Sequence, residues 1–279
     1  SDSYPLDVVS VFEATLDDPP QILRAQRAHA RGEAVAAMKA EGIDYDERMQ
    51  LLEDVTHPQP LAELLGAAFT IYRQTHPWLS EDQLAPKSVV RDMWERAMTF
   101  TEYVSFYGLS RSEGLVLRYL SDAYRALRAS VPDAARTEAF DDITEWLGAL
   151  VRQVDSSLLD EWEQLTEGDR PDAAREVAVP ASLTRNVRAF TVLVRNAMFR
   201  RLELAAFGRF DELGELDAAA GWNATRWREA IEGYYAEYDR LPTDANARNP
   251  ALLHVEHTPT HWLVRQVFDD PDGDHDWAI

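Results

Sequence analysis

The stretch from Lys87 to Arg128 constrains the fold more than any other part of this chain, because two helical segments meet there across a glycine. Thr99 to Tyr107 reads as a short helix and Gly108 as the turn that ends it, since glycine tolerates the left-handed backbone of a helix C-terminus. Ser110-Arg111-Ser112-Glu113 has the serine and glutamate spacing of a capping box and predicts the start of a second helix. On that helix Leu117, Leu120, Tyr124 and Leu127 recur at i+3 and i+4 steps, which supplies a buried side.

The opposite side is rich in arginine. Arg111, Arg118 and Arg125 recur every seven residues, with Arg128 close to the last. Seven residues are nearly two helical turns, so these guanidiniums form a stripe that can meet successive phosphates. Pairing with neighbouring carboxylates is the competing use of the same side chains. A second basic window holds Arg185, Arg188, Arg195, Arg200, Arg201 and Arg209, with Glu203 as its internal counter-charge. Its forked donors suit either RNA or docking against the acidic N-terminal part.

Both windows stand out because the 279-residue chain is otherwise acidic, with a formal net charge of -21. Such a surface does not attract phosphate backbones as a whole, so any nucleic-acid contact must be local. The chain has no cysteine, which excludes disulfides, thiolate nucleophiles and cysteine-ligated zinc and fits a cytoplasmic location. No apolar run approaches the roughly 20 residues of a bilayer span, so no membrane partner is expected.

The fold class expected is mainly α: a helical bundle over residues 1–168, then a smaller α+β unit over 183–279. Pro19 to Ala40 reads as a helix, and Leu61, Leu64, Leu65, Ala68, Phe69 and Tyr72 fall at helical spacing between proline breaks. Thr137 to Leu165 is a further helical pattern. Gly168, Pro171 and Pro180 mark Thr166 to Ser182 as the boundary. Beyond it come helices from Thr184 to Gly208 and from Trp222 to Asp239, the second capped by Asn223. Two β-rich runs, Ala251 to Glu256 and His261 to Phe268, follow. Trp277-Ala278-Ile279 reads as the opening of another strand, so the expectation is a C-terminally truncated piece of a longer polypeptide.

No catalytic residue is assigned. A Gly-x-x-x-x-Gly-Lys-Ser/Thr phosphate loop and a Gly-x-Ser-x-Gly elbow are both missing from the sequence. Asp160-Glu161-Trp162-Glu163 lies in a helical pattern, unlike the strand-end acidic box of a motor. No metal site is predicted from His254, His257, His261 and His275, because strand residues three apart face opposite ways and Pro259 interrupts the run. The Asp270 to Asp276 run has its glycine at the fourth place instead of the sixth of a calcium loop, and reads as a hairpin turn.

Several motifs together suggest a family. Leu6-Asp7-Val8-Val9-Ser10-Val11-Phe12, Leu51-Leu52-Glu53-Asp54-Val55, Thr99-Phe100-Thr101-Glu102-Tyr103 and Glu113-Gly114-Leu115-Val116-Leu117-Arg118 resemble the helical, ratchet-like (DSHCT-like) C-terminal region of Ski-type superfamily 2 RNA helicases. Over nearly its whole length the chain looks like the uncharacterised C-terminal domain of actinobacterial DEAD/DEAH-box helicases. Ser88-Val89-Val90-Arg91-Asp92-Met93 and Asp274-His275-Asp276-Trp277 carry that narrower match. The resemblance implies an accessory region of an ATP-dependent RNA helicase, with ATP and Mg bound by upstream motor domains and none bound here. It implies partners in those motor domains and in single-stranded RNA, with a further protein partner open. By position, Glu113, Gly114 and Arg118 match its Glu-Gly-then-Arg motif, while Arg111, Arg125, Arg128, Arg188 and Arg195 rest on the charge pattern alone. The second unit looks like a nuclear-transport-factor-type cone. Rival readings are a helix-turn-helix DNA-binding regulator, an acidic protein-binding module, and a small-molecule pocket lined by Trp222, Trp227, Tyr234 and Tyr238.

Overall fold

Proline and capping residues set where the helices start. In a computed structural model, which describes residues 3–80, 83–155, 187–244, 246–258 and 261–279, α1 (Tyr4–Thr15) and α2 (Pro20–Ala40) both carry proline in the first turn. There its missing N–H removes nothing from the helix. The Asp44 side chain caps α3 (Tyr45–Leu51) by accepting from Glu47 N at 3.0 Å. Next come α4 (Ala62–Thr75), α5 (Val90–Glu95), α6 (Phe100–Phe106), α7 (Glu113–Ser130) and α8 (Glu138–Val154). Thr137 caps α8 through Phe140 N, as a residue with a short acceptor side chain does at this position. The chain divides into two compact units, Ser1–Leu183 and Thr184–Ile279.

In the first unit, α1 packs on α5, α7 and α8, and α7 and α8 form a helical hairpin. Val9, Met93, Leu120, Tyr124, Phe140 and Trp146 fill its core, with Trp94 edge-on to Trp146 at 5.1 Å. Leu117, Leu120, Tyr124 and Leu127 are all buried, as the helical spacing predicts. Gly148 of α8 is required by this packing. A Cβ there would lie 2.6 Å from the Tyr124 ring, so the two helices approach over a missing side chain.

A polar exchange ties α1 to α5. The buried Glu13 carboxylate accepts from the backbone N–H groups of Val89 (2.8 Å), Val90 (2.9 Å) and Arg91 (3.3 Å), and from the Tyr119 hydroxyl at 3.0 Å. Glu13 thus caps the N-terminus of α5 from another helix. In return the fully buried Lys87 donates to the Glu13 and Leu16 carbonyls at 3.0 and 2.8 Å, and pairs with Asp18 at 2.9 Å. Each helix end satisfies the orphaned groups of the other. Beside it, Gln26 donates to Ser88 O at 2.6 Å and to the Tyr103 hydroxyl at 3.1 Å. Asp92 accepts from Tyr107 and from Arg96 Nε, both at 2.7 Å.

The second unit is built from α9 (Val187–Ala206), α10 (Phe210–Leu216), α11 (Ala224–Tyr235), β1 (Leu253–His257) and β2 (Trp262–Gln266). Asn223 caps α11 by accepting from Arg226 N at 3.0 Å. α10 packs on the start of α11 over Gly214, where a Cβ would stand 2.5 Å from Ala224 N. Arg201 grips Asp217 with Nε and Nη2, the shorter contact at 2.6 Å, and so fastens α9 to the end of α10. β1 and β2 are antiparallel, with Val255 opposite Val264. The Asp270 loop turns the chain back so that Val267 bridges Ala278. Its carboxylate accepts from Asp274 N and His275 N at 3.0 and 2.6 Å. Burial pushes the Asp270 carboxyl up, but these backbone donors outweigh it and hold it below the ordinary range.

The chain is mainly helical with a small two-stranded sheet, eleven α-helices and two strands among the described residues. Among the described residues the second unit contributes the β1–β2 pair and one bridge to the sheet. Trp227 and Tyr234 are core residues. Tyr234 is ringed by Tyr238, Phe268 and Trp277 with centroids 5.0 to 5.8 Å away. The expected helix beyond Val154, the boundary over 166–182 and the Asp160 to Glu163 run lie outside the described residues.

Two stability measurements follow from these contacts. Glu13→Gln places an amide NH2 against a backbone donor and is expected to cost about 1–3 kcal/mol in urea denaturation. Burial outweighs the donors around Glu13 and raises its carboxyl above the ordinary 4.5. Its contribution is therefore full below that value and is lost as pH rises through the raised one. The wild-type margin over Glu13→Gln should be largest in acid and shrink as pH increases. In the second unit, Arg201→Ala leaves Asp217 without its fork. Amide hydrogen exchange should quicken across residues 210–217, with a destabilisation of about 1–3 kcal/mol.

Candidate nucleic-acid interface

α7 does not begin in the way its sequence suggests. Ser110–Ser112 form a 3-10 turn, Ser112 N donates to Leu109 O at 2.7 Å, and Ser112 makes no side-chain cap. The capping box expected over Ser110 to Glu113 is absent because the backbone turn occupies that place. A reciprocal box sits one helix earlier, where Thr99 accepts from Glu102 N at 3.3 Å and the Glu102 carboxylate accepts from Thr99 N at 2.8 Å. Gly108, with φ of 64°, makes the left-handed turn between them.

With Val116, Leu120 and Leu127 buried, Arg118 and Arg128 of α7 are left toward solvent and Arg125 is half-buried. Arg118 is 84% exposed, and its Nε lies 3.9 Å from Asp122. Arg125 reaches the other oxygen of the same Asp122 at 3.6 Å. One carboxylate thus stands between two guanidiniums and interrupts the stripe. Arg128 turns to Glu145 on α8 at 3.4 Å and lies over the Tyr124 ring. Arg111 sits on the 3-10 turn, exposed, and Glu113 opens α7 with its side chain in solvent. Exposed pairs at such distances are worth about 0–1 kcal/mol, so a phosphate can displace them. Four arginines against Glu113 and Asp122 leave the 111–128 window locally positive within an acidic chain.

The second basic window is arranged differently. Arg185 lies outside the described residues; Arg188 is exposed on α9 and Arg195 is half-buried. Arg200 pairs with Glu203 at 3.3 Å, Arg201 with Asp217, and Arg209 with Glu212 at 2.5 Å. Arg200, Arg201 and Arg209 thus hold carboxylates within their own unit. Counting Glu203 as the internal counter-charge missed Glu212 and Asp217, which lie just past the window in sequence.

Sequence reasoning also missed the buried set of Glu13, Lys87, Gln26 and Asp92. An acid at helical spacing beside Val9 is the one signal that could have shown Glu13, because its inward position demands a partner. Burial, with the Glu13 charge adding to it, pushes the Tyr119 hydroxyl well above its ordinary range, so it serves as a donor. Among the described residues no three His, Asp or Glu side chains converge on a metal position.

No curated protein and no solved structure shows significant similarity to the chain. One family pattern, described as Domain of unknown function (DUF3516), runs across the arginine-bearing helix, the buried exchange and the second unit alike, matching residues 1–279. On that match over its whole length, the chain belongs to the DUF3516 family.

Proposed function

We propose that this chain is a non-catalytic accessory region of an ATP-dependent RNA helicase, and that α7 offers single-stranded RNA a contact without base specificity. The observation that carries the reading is the exposure of Arg118 on a helix whose other side is core, and of Arg111 on the turn that leads into it. The resemblance of Glu113, Gly114 and Arg118 to the Ski-type motif supports it. ATP and Mg belong, on this reading, to motor domains upstream.

The chemistry is electrostatic. Guanidiniums that give up weak contacts to Asp122 gain charge-assisted bonds to phosphate and release counterions from the strand. The acidic remainder of the surface keeps the strand from spreading beyond this window. Arg125 and Arg128 would extend the contact once released from Asp122 and Glu145. Arg188 and Arg195 form a separate, secondary candidate on α9.

A salt-titrated binding assay tests this with single-stranded RNA, single-stranded DNA and duplex. Arg118→Glu and Arg111→Glu should each weaken single-stranded RNA binding and flatten the salt slope by about 0.7 for each phosphate no longer neutralised. Lys39→Glu, the same charge change on exposed α2 surface, should leave both nearly unchanged. Absence of binding at low salt, or equal binding by all the variants, overturns the proposal, and a preference for duplex favours a DNA-binding regulator.

A further inference from the structure

α3 and α4 add no buried residue to the first unit. α4 keeps Leu65 and Phe69 half-covered and turns another row outward, with Leu64, Ile71 and Tyr72 exposed by 64%, 66% and 52%. Leu64, Ala68, Ile71 and Tyr72 stand at i, i+4, i+7 and i+8, which is one stripe along a helix. Just past its end the Trp78 ring is 72% exposed and lies edge-on to His76 at 5.2 Å, which in turn stacks on Tyr72 at 3.9 Å. Single exposed apolar residues are ordinary on protein surfaces, whereas a contiguous row marks a contact surface.

Charge decides what can cover it. Residues 41–80 hold seven Asp and Glu side chains, all exposed, and two arginines. Both are turned to backbone carbonyls, Arg48 to Ile43 at 2.7 Å and Arg73 to Leu79 at 3.0 Å, as are Arg27 and Arg31 of α2, which reach Val55 at 3.3 Å. We propose that the outward stripe of α4, with Trp78 at its end, docks a cationic amphipathic helix of a partner protein. Stripe would bury against stripe, while lysine and arginine flanking the partner's apolar row meet the carboxylates. Nucleic acid fits less well, because its phosphates are repelled by a chain carrying -21. A second copy of a chain carrying -21 is opposed by the same charge. This surface is independent of the arginine helix.

The test uses the full chain and a labelled helix-forming peptide of leucine and lysine, with leucine at helical spacing. Its controls are a scrambled peptide of the same composition and an oligouridine. The variant combines Leu64→Ser, Ile71→Ser and Trp78→Ala, all at exposed positions, with unchanged thermal unfolding as its folding control. Roughly tenfold tighter binding of the helical peptide than of the scrambled one, and a weakening of about tenfold in the variant, are expected. Equal binding by wild type and variant, or by both peptides, overturns the proposal. So does displacement of the peptide by oligouridine, or a wild-type dimer that the variant abolishes.

Discussion

The exchange between Glu13 and Lys87 holds the first unit in register. A carboxylate at the end of α1 completes the start of α5, and a lysine just before α5 completes the end of α1. Neither side chain could be removed alone without stranding buried polar groups, which cost about 1–3 kcal/mol each. Tyr119 extends the same constraint to α7, because its hydroxyl reaches the Glu13 oxygen that already serves Val89 and Val90. Three helices therefore meet at one carboxylate. The apolar core around Trp146 and Tyr124 supplies most of the favourable burial, but burial is non-directional and does not by itself choose which residues face each other. The polar exchange does.

Local pattern made much of the architecture legible. Proline at the start of α2, the 3.6-residue rhythm of α7 and the asparagine before α11 each act within a few residues, and each element lies where that pattern puts it. What could not be read was set by distance along the chain. Glu13 and Val89 are 76 positions apart, so no window of periodicity contains both. The misplaced capping box has a more local cause: Ser110 to Glu113 and Thr99 to Glu102 share the same grammar, and the backbone turn after Gly108 leaves the first unused. The spacing of the arginines on α7 was visible, but Asp122 is only one turn from Arg118 and Arg125, and its effect depends on side-chain reach.

Several arginines in this protein organise its own acids. Arg91 bonds Glu95 and Asp7, Arg96 bonds Asp92, and Arg200, Arg201 and Arg209 bind acids from Glu203 to Asp217. The Arg118 pair on α7 is long and open to solvent, whereas those of Arg200 and Arg201 are shorter and largely shielded from water. That contrast distinguishes α7 from α9: their arginine content is similar, but their commitments are not.

Gly148 gives α7 a property that its own residues do not. The Tyr124 ring occupies the space a side chain at position 148 would take, and Arg152 lies against the same ring, 5.7 Å from its centre. A ring seated in a notch between two neighbours prevents its helix from rolling about the long axis. The backbone face that α7 turns outward at position 118 is therefore fixed on the far side of the helix, by an atom that is not there.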